Sequence, residues 1–153
     1  MPLETPHPHL YFTAEQLPAI REKTRHPRFR RDWEALQYQA TRHLEGPLII
    51  PTEGPARCFR AAKKAARCAL VYRIGGEKRY AARAFEFLNA ILKEQEWAAH
   101  PGNLAFGLNP AHLCQELALV YDLLFDELAP QERERFRAAC QRELVDVFLK
   151  ECR

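Results

Sequence analysis

The side chains best suited to chemistry in this sequence lie in and beside a polar stretch from His100 to His112. Asn103, Asn109 and His112 carry amide and imidazole groups, which can hydrogen-bond the hydroxyls or carboxylates of a sugar. Trp97 precedes the stretch and could stack on a sugar ring, although a large aromatic residue more often belongs to the core. We therefore predict substrate contacts at these four residues, with a core position as the favoured alternative for the tryptophan.

Two of these residues also have simpler interpretations. Asn109 stands before Pro110, and Asn at the N-cap followed by Pro at the first helical position is a typical helix start. For His112, on the first turn of that helix, a solvated position is the favoured alternative. His112 and Glu116 are spaced i, i+4 and could share a metal ion, yet two ligands do not make a site. We expect no metal site, no cofactor and no catalytic residue here.

A second candidate surface is a stripe of basic residues at helical spacing. Arg57, Arg60, Lys64 and Arg67 follow the pattern i, i+3, i+7, i+10, with Lys63 beside them. Such a stripe suits an anionic glycan, and we predict that Arg57, Arg60 and Lys64 bind one. The alternative, which is the commoner case, is that the stripe is only the solvated side of a helix. The opposite face is rich in alanine, which predicts close packing against neighbouring helices.

Six helices are expected to position these groups. Thr13 and Gln16 form a capping pair at the start of the first helix, which should stop at His26 because Pro27 follows. The other helices are expected from Pro27 to Gly46, from Ala56 to Ile74, from Lys78 to Glu96, from Pro110 and from Pro130.

The fifth of these helices carries a broad apolar face. Its apolar residues follow the i, i+3, i+4, i+7 pattern of a helix that faces a core. They are Leu113, Cys114, Leu117, Ala118, Tyr121, Leu124 and Phe125.

The connections between the expected helices are short, and no segment has a convincing strand pattern. Short connections between long helices favour antiparallel neighbours. The sequence therefore predicts an all-α chain of helical hairpins. Residues 1–12 are rich in proline and histidine and should form an extended N-terminal arm.

Length and composition limit the class of protein. With 153 residues, 47% of them apolar and 28% charged, the chain fits one globular domain. A net charge of +3 does not indicate a nucleic-acid partner. The sequence shows no signal peptide and no apolar run that could cross a membrane. Five cysteines without Cys-x-x-Cys spacing are expected to be buried thiols rather than disulfides or metal ligands.

A short internal repeat supports the hairpin organisation. The tetrapeptide Ala69–Tyr72 recurs as Ala118–Tyr121, and each copy precedes an expected hairpin turn. A repeated two-helix unit of solenoid or toroid type would produce this pattern, since such units bury their faces by stacking on neighbours.

Three segments together resemble a known family. The opening reads Pro-His-Leu-Tyr-Phe-Thr-Ala-Glu-Gln-Leu from Pro8, continues to Lys23 and is followed by His-Pro-Arg-Phe from His26. It closely resembles the opening of heparinase II/III-like polysaccharide lyases and their uronyl-epimerase relatives. Ala69–Tyr80 resembles the family's Ala-Leu-x-Tyr…Gly-x-x-x-Tyr hairpin. Leu117–Arg133 resembles its Ala-Tyr-Asp-Trp-Leu-Tyr-Asp-x-Leu-Thr-Pro-Glu-Glu-Arg helix and turn.

The resemblance implies that the whole chain, 1–153, is the N-terminal segment of an incomplete (α/α) toroid. In the family, further hairpins and a β-sandwich domain follow, and these would be its partners. The chain is expected to be truncated, because residues 147–153 continue an apolar helical pattern without a closing glycine, asparagine or proline. Exposed faces on the first and last hairpins would then promote self-association.

The resemblance also implies an activity. Family members cleave uronate-containing polysaccharides by β-elimination: an Asn, His or Glu neutralises the uronate carboxylate, and a Tyr or His transfers the protons. Those motifs are not matched here, and Asn109-Pro110-Ala111-His112 is not the family's Asn-His pair. We therefore expect a scaffold and substrate-groove segment that binds acidic polysaccharide but is inactive alone. Lyase and epimerase relatives are not distinguished. Family members commonly act outside the cytoplasm, so the compartment stays open.

Two other functions remain open. One is a tetratricopeptide-like module that binds a protein. The spacing between Ala69–Tyr72 and Ala118–Tyr121 is longer than the tetratricopeptide period of about 34 residues, which counts against it. A six-hairpin glycosidase scaffold is the other; it would need two facing carboxylates, whereas Asp122 and Asp126 are i, i+4 neighbours on one helix.

Overall fold

The computed structural model describes residues 6–48, 57–97 and 108–151, and the description below is confined to them. Within these ranges the chain is helical and contains no strand, which confirms the all-α prediction. The helices are α1 (Leu17–Arg25), α2 (Pro27–Glu45), α3 (Arg57–Gly75), α4 (Lys78–Ile91), α5 (Leu108–Leu124), α6 (Pro130–Cys140) and α7 (Asp146–Glu151). A π-helical turn, Gln141–Val145, joins α6 to α7, so these two form the sixth expected helix.

Helix boundaries near the N-terminus follow the local sequence. The backbone N–H of Thr13 donates to Gln16 Oε1 at 2.9 Å, which is half of the expected capping box. A 3₁₀ turn, Ala14–Gln16, leads into α1. His26 separates α1 from α2, and its Nδ1 accepts the N–H of Arg28 at 3.2 Å. Capping groups of this kind satisfy the free N–H groups of a helix start.

Two predicted boundaries are wrong. Helix α4 ends at Ile91 rather than Glu96, and Glu96 has a φ of 53°. The chain leaves the helix early because Trp97 turns back into the core, where its indole N–H donates to the carbonyl of Glu94 at 3.1 Å. Helix α5 begins at Leu108, so Asn109 lies inside the first turn and is not the N-cap. Pro110 still fits, because the first four N–H groups of a helix lack intrahelical partners.

Helix α3 lies at the centre of the fold. It makes its most extensive contacts with α4 and α5 and also contacts α1 and α2. Its inward alanines are 0 to 3% exposed, which confirms the prediction of close packing. These residues are Ala61, Ala62, Ala65, Ala66 and Ala69.

The buried face of α5 differs in part from the predicted one. Leu113, Leu117 and Leu124 are at most 1% exposed, as expected, but Cys114 and Ala118 are exposed. Side chains omitted from the predicted face are buried instead, namely Leu119, Val120, Asp122 and Leu123. From Leu117 to Leu124 only Asp122 is charged, so periodicity does not define a single face in this half of α5. The contact with α3 then decides which side is buried.

The repeated tetrapeptide occupies equivalent positions. Tyr72 lies three residues before the end of α3, and Tyr121 lies three residues before the end of α5. The two helices pack against each other, so the copies belong to neighbouring elements. Each copy is followed by a turn and a further helix, and Tyr121 stacks on Phe136 of α6 with ring centroids 5.2 Å apart.

The cysteines are only partly buried. Cys58 and Cys68 are buried, and burial raises the pKa of Cys68 to about 12. Cys140 is half-buried, whereas Cys114 is exposed, so the expectation of buried thiols is wrong for Cys114. Cys152 lies outside the described residues. Among the helices that the structure describes, none has the length and hydropathy needed to cross a membrane.

Candidate functional site

The structure describes the side chains of only two of the four residues predicted around the polar stretch, Trp97 and His112. Asn103 lies outside the described residues, and the side chain of Asn109 is not described. Trp97 is 4% exposed and belongs to the core, which is the alternative favoured from the sequence. His112 is half-buried and stacks on Phe59 of α3, with ring centroids 5.5 Å apart and planes 28° apart. These residues therefore do not form one polar surface in the part of the chain that is described.

The basic stripe on α3 lies beside further cations from two neighbouring helices, α2 and α4. The side chain of Arg57 is not described, while Arg60 is exposed and Lys64 and Arg67 are half-buried on α3. The groups whose charges act on His43 are Arg67 and Lys64 of α3, Arg42 of α2 and Arg83 of α4. We call His43 together with these four residues the cationic cluster. It spans three helices, whereas the sequence pattern showed one.

The buried ring of Phe87 contacts three members of the cationic cluster, Lys64, Arg83 and His43. Phe87 of α4 is 1% exposed. The Arg83 guanidinium lies 4.7 Å from its ring centroid and Lys64 Nζ lies 5.6 Å from it. The His43 ring meets Phe87 edge-on at 6.5 Å. A buried ring that faces two cations lowers the cost of placing them close together.

Arg83 is the fixed member of the cluster. Its Nε donates to the carbonyl of His43 at 2.7 Å, and its terminal nitrogens bond the carbonyl of Gly46 and the carboxylate of Glu86. These bonds satisfy carbonyls at the C-terminal end of α2, where a cation is favourable. Arg83 therefore holds α4 against the end of α2.

The other cations of this surface have no carboxylate partner among the residues that the structure describes. None of the ion pairs formed among the described residues includes Arg42, Arg60, Lys64 or Arg67. Cations elsewhere on the described surface do pair with carboxylates, as Arg79 does with Glu77 at 2.9 Å and Arg137 with Glu134 at 2.6 Å. Several like charges without carboxylates create a positive potential that attracts anions.

His43 shows how strong this local potential is. Burial lowers the pKa of His43 from 6.5 to about 4, and repulsion from Arg67, Lys64, Arg42 and Arg83 adds to the shift. In the unfolded chain the imidazole takes up a proton as the pH falls below about 6.5, whereas in the folded chain it stays neutral until about pH 4. The unfolded state therefore binds more protons in this window, and stability falls as the pH falls.

We expect His43→Gln to reduce this acid sensitivity. Between pH 7 and pH 5 the wild-type chain should lose about 1 kcal/mol more unfolding free energy than the variant, after allowance for solvent screening. Urea unfolding at the two pH values measures the difference. His26→Gln, at an exposed helix boundary, is the control and should behave as wild type. An equal loss in all three proteins would contradict the assigned role of His43.

A second polar centre was not predicted from the sequence. Asp122 of α5 is 2% exposed and binds the N-terminal arm. The backbone N–H of His9 donates to Oδ1 at 3.0 Å and to Oδ2 at 3.1 Å, and that of Leu10 donates to Oδ2 at 3.0 Å. His7 Nδ1 lies 2.6 Å and His9 Nδ1 3.3 Å from Oδ1. We call Asp122, His7, His9 and the N–H of Leu10 the Asp122 clasp.

Neighbouring side chains hold the clasp in place. The His7 ring stacks on Phe125 with centroids 3.8 Å apart and planes 18° apart. Arg73 of α3 donates to the carbonyl of His7 at 3.2 Å and pairs with Asp126 at 3.0 Å. Residues 6–12, the described part of the expected N-terminal arm, are thereby attached to α3 and α5.

Two signals in the sequence pointed to the clasp. Asp122 stands in an otherwise apolar run, and a carboxylate buried there must find donors. His7 and His9 are spaced i, i+2, so both fall on one side of an extended segment. The sequence pattern does not show that Asp122 pairs with His7, which lies 115 residues before it.

A scan against protein-family models finds no match for this sequence. A search of curated proteins likewise finds no significant match.

Proposed function

We propose that this chain is the N-terminal helical segment of a heparinase II/III-like polysaccharide lyase, and that its cationic cluster binds acidic polysaccharide. The observation that carries the proposal is the group of four cations around His43, on a surface built by three helices. Arg83 pairs with Glu86, whereas Arg42, Lys64 and Arg67 form no ion pair among the described residues. Sulfates and carboxylates on a linear polysaccharide are the ligands that such a surface favours. Lys64 and Arg60, predicted from the sequence, would contribute to it.

The packing of the arm gives independent support. The segment beginning at Pro8 and the segment Leu117–Arg133 are two of the three parts of the family resemblance. They meet at the Asp122 clasp, so each segment has a structural reason for its residues. The same contact weighs against a six-hairpin glycosidase, because Asp122 is occupied by the arm and Asp126 pairs with Arg73.

In such a lyase this segment would bind the polysaccharide, and other parts of the protein would carry out the elimination. His43 is neutral at pH 7, since its pKa is lowered to about 4, and a neutral imidazole does not supply a positive charge to a uronate. Burial raises the pKa of Tyr72 to about 12 and its hydroxyl donates to Glu127, which does not suit a proton-abstracting base. Binding energy from such remote contacts can serve the reacting centre elsewhere.

The rest of a toroid and a β-sandwich domain are the partners that this proposal requires. Exposed apolar side chains in the π turn and α7 support such a partner, with Val145, Phe148 and Leu149 being 40 to 48% exposed. A second copy of the chain would also cover this surface, and the expected self-association of the isolated chain follows from it.

Removing two charges from the cationic cluster should weaken polysaccharide binding. We expect Lys64→Ala/Arg67→Ala to raise the Kd for a labelled heparin oligosaccharide about tenfold at low salt, and less at high salt. Fluorescence anisotropy at two ionic strengths measures both effects.

The control for this experiment removes the same net charge elsewhere. Lys78→Ala/Arg79→Ala deletes two cations that already pair with Glu127 and Glu77 at 3.8 and 2.9 Å, at the start of α4. It should change the Kd less than threefold. Equal losses in both variants would show that only net charge matters and would contradict the assigned surface. The chain alone should produce no unsaturated uronate, and any such product would contradict the scaffold role.

A helical-repeat module that binds a protein is the second candidate. The equivalent placement of Ala69–Tyr72 and Ala118–Tyr121 on packed helices favours it. Retention of heparin binding after loss of charge at Lys64 and Arg67 would favour this candidate over the first.

A further inference from the structure

We propose that the Asp122 clasp is a binding site for a divalent transition-metal ion, with zinc as the best fit. One ring nitrogen of His7, one of His9 and a carboxylate oxygen of Asp122 all lie within 4.8 Å of one another. Two imidazoles and one carboxylate are a donor set that zinc, cobalt and nickel accept. Calcium and magnesium prefer oxygen ligands and fit the set poorly. In the sequence only His7 and His9 lie close together; the fold brings Asp122 beside them as the third ligand.

The distances from the two imidazole nitrogens to Asp122 Oδ1 are close to those that one zinc ion needs. A ring nitrogen of His7 and one of His9 lie within 4.8 Å of each other and would move closer together on binding. Zinc–ligand bonds of about 2.0 Å in a tetrahedral site place ligand atoms roughly 3.3 Å apart. His9 Nδ1 and Asp122 Oδ1 are already 3.3 Å apart. His7 Nδ1 and Oδ1 are 2.6 Å apart, which is a hydrogen-bond distance. The metal ion would replace the proton between these two atoms, and the distance between them would increase by about 0.7 Å.

The surroundings of the ligands resemble the second shell of a metal site. The backbone N–H groups of His9 and Leu10 hold Oδ2 of Asp122 at 3.1 and 3.0 Å, so Oδ1 keeps its orientation. Phe125 fixes the plane of the His7 ring, and Arg73 binds the His7 carbonyl. Contacts of this kind orient ligands before the ion arrives and raise its affinity.

Three protein ligands leave at least one coordination position for water or another oxygen ligand. The side chain of His9 is 36% exposed, whereas those of His7 and Asp122 are 14 and 2% exposed. The open position therefore faces the solvent side of His9. The site is distinct from the cationic cluster, and its test does not depend on polysaccharide binding.

Titration of the metal-free chain with zinc chloride, followed by calorimetry, tests the proposal. We expect one equivalent of zinc to bind and the thermal midpoint to rise. His9→Ala should weaken binding at least tenfold, because it removes a ligand while keeping the backbone N–H that anchors Asp122. His26→Ala, which removes a histidine at a helix boundary, is the matched control and should bind as wild type.

Cobalt provides the second measurement, because free cysteines such as Cys114 could also bind metal. Cobalt in the Asp122 clasp should give visible d–d absorption without a thiolate charge-transfer band, and this absorption should be lost in His9→Ala. Absence of stoichiometric binding, unchanged affinity in His9→Ala, or a thiolate band would each overturn the proposal.

Discussion

Replacing Asp122 by alanine should lower the free energy of unfolding by about 3 kcal/mol, because several donors lose one buried acceptor at the same time. The backbone N–H groups of His9 and Leu10 and the imidazole of His7 all converge on this carboxylate. Hydrogen bonds to a charged group contribute about 1.5–3 kcal/mol each, and exposure of His9 and Leu10 lets water replace part of the loss. Asp122→Asn keeps one acceptor oxygen and should cost less.

Urea unfolding in the presence of a chelator measures this effect without a contribution from bound metal. Asp126→Ala is the control: Asp126 is four residues away on the same segment, but its side chain is 57% exposed and makes one ion pair with Arg73. It should change stability by less than about 1 kcal/mol. Deleting residues 1–10 should remove most of the difference between Asp122→Ala and wild type, as a double-mutant cycle requires for one shared contact. Additive losses would show that Asp122 acts on something other than the arm.

The helices themselves could be predicted because local chemistry determines them. The pair Thr13 and Gln16, the proline at position 27 and Gly46 act through bonds within a few residues, and the boundaries they predict are observed. The alanine-rich side of α3 was predictable for a similar reason, since side chains of that size on one face allow close helix packing. Neither the toroid nor the family assignment has that local basis, and both remain proposals.

What escaped prediction depends on contacts between distant segments. Only part of the buried face of α5 could be predicted, because the second half of this helix is apolar on nearly every side. In the folded chain Cys114 is exposed and Val120 is buried. The cationic cluster needed α2 and α4 to bring Arg42 and Arg83 beside α3. The Asp122 clasp needed the arm to cross to α5. In each case the periodicity of one helix contains no information about its neighbour.

Phe87→Ala should be the most damaging single change in the core near the candidate site, with a loss of about 3–5 kcal/mol. The Phe87 ring is 1% exposed and packs in the central cluster of α3, α4 and α5 side chains. Removing it creates a cavity and also takes away the ring below Lys64 and Arg83. Urea unfolding measures the loss. Phe29→Ala is the control, because Phe29 is 42% exposed and also faces an arginine, Arg28, at 5.6 Å; it should cost less than about 1 kcal/mol.

Phe87→Leu separates packing from support of the cations. Leucine fills much of the same volume, so this variant should lose about 1 to 1.5 kcal/mol and stay folded. It removes the π-face on which Lys64 and Arg83 rest, so the two cations should become less ordered and heparin binding should weaken about threefold. If Phe87→Leu binds heparin as wild type does, the ring contributes only to the core, and the cationic cluster holds its geometry through the bonds of Arg83 to the end of α2.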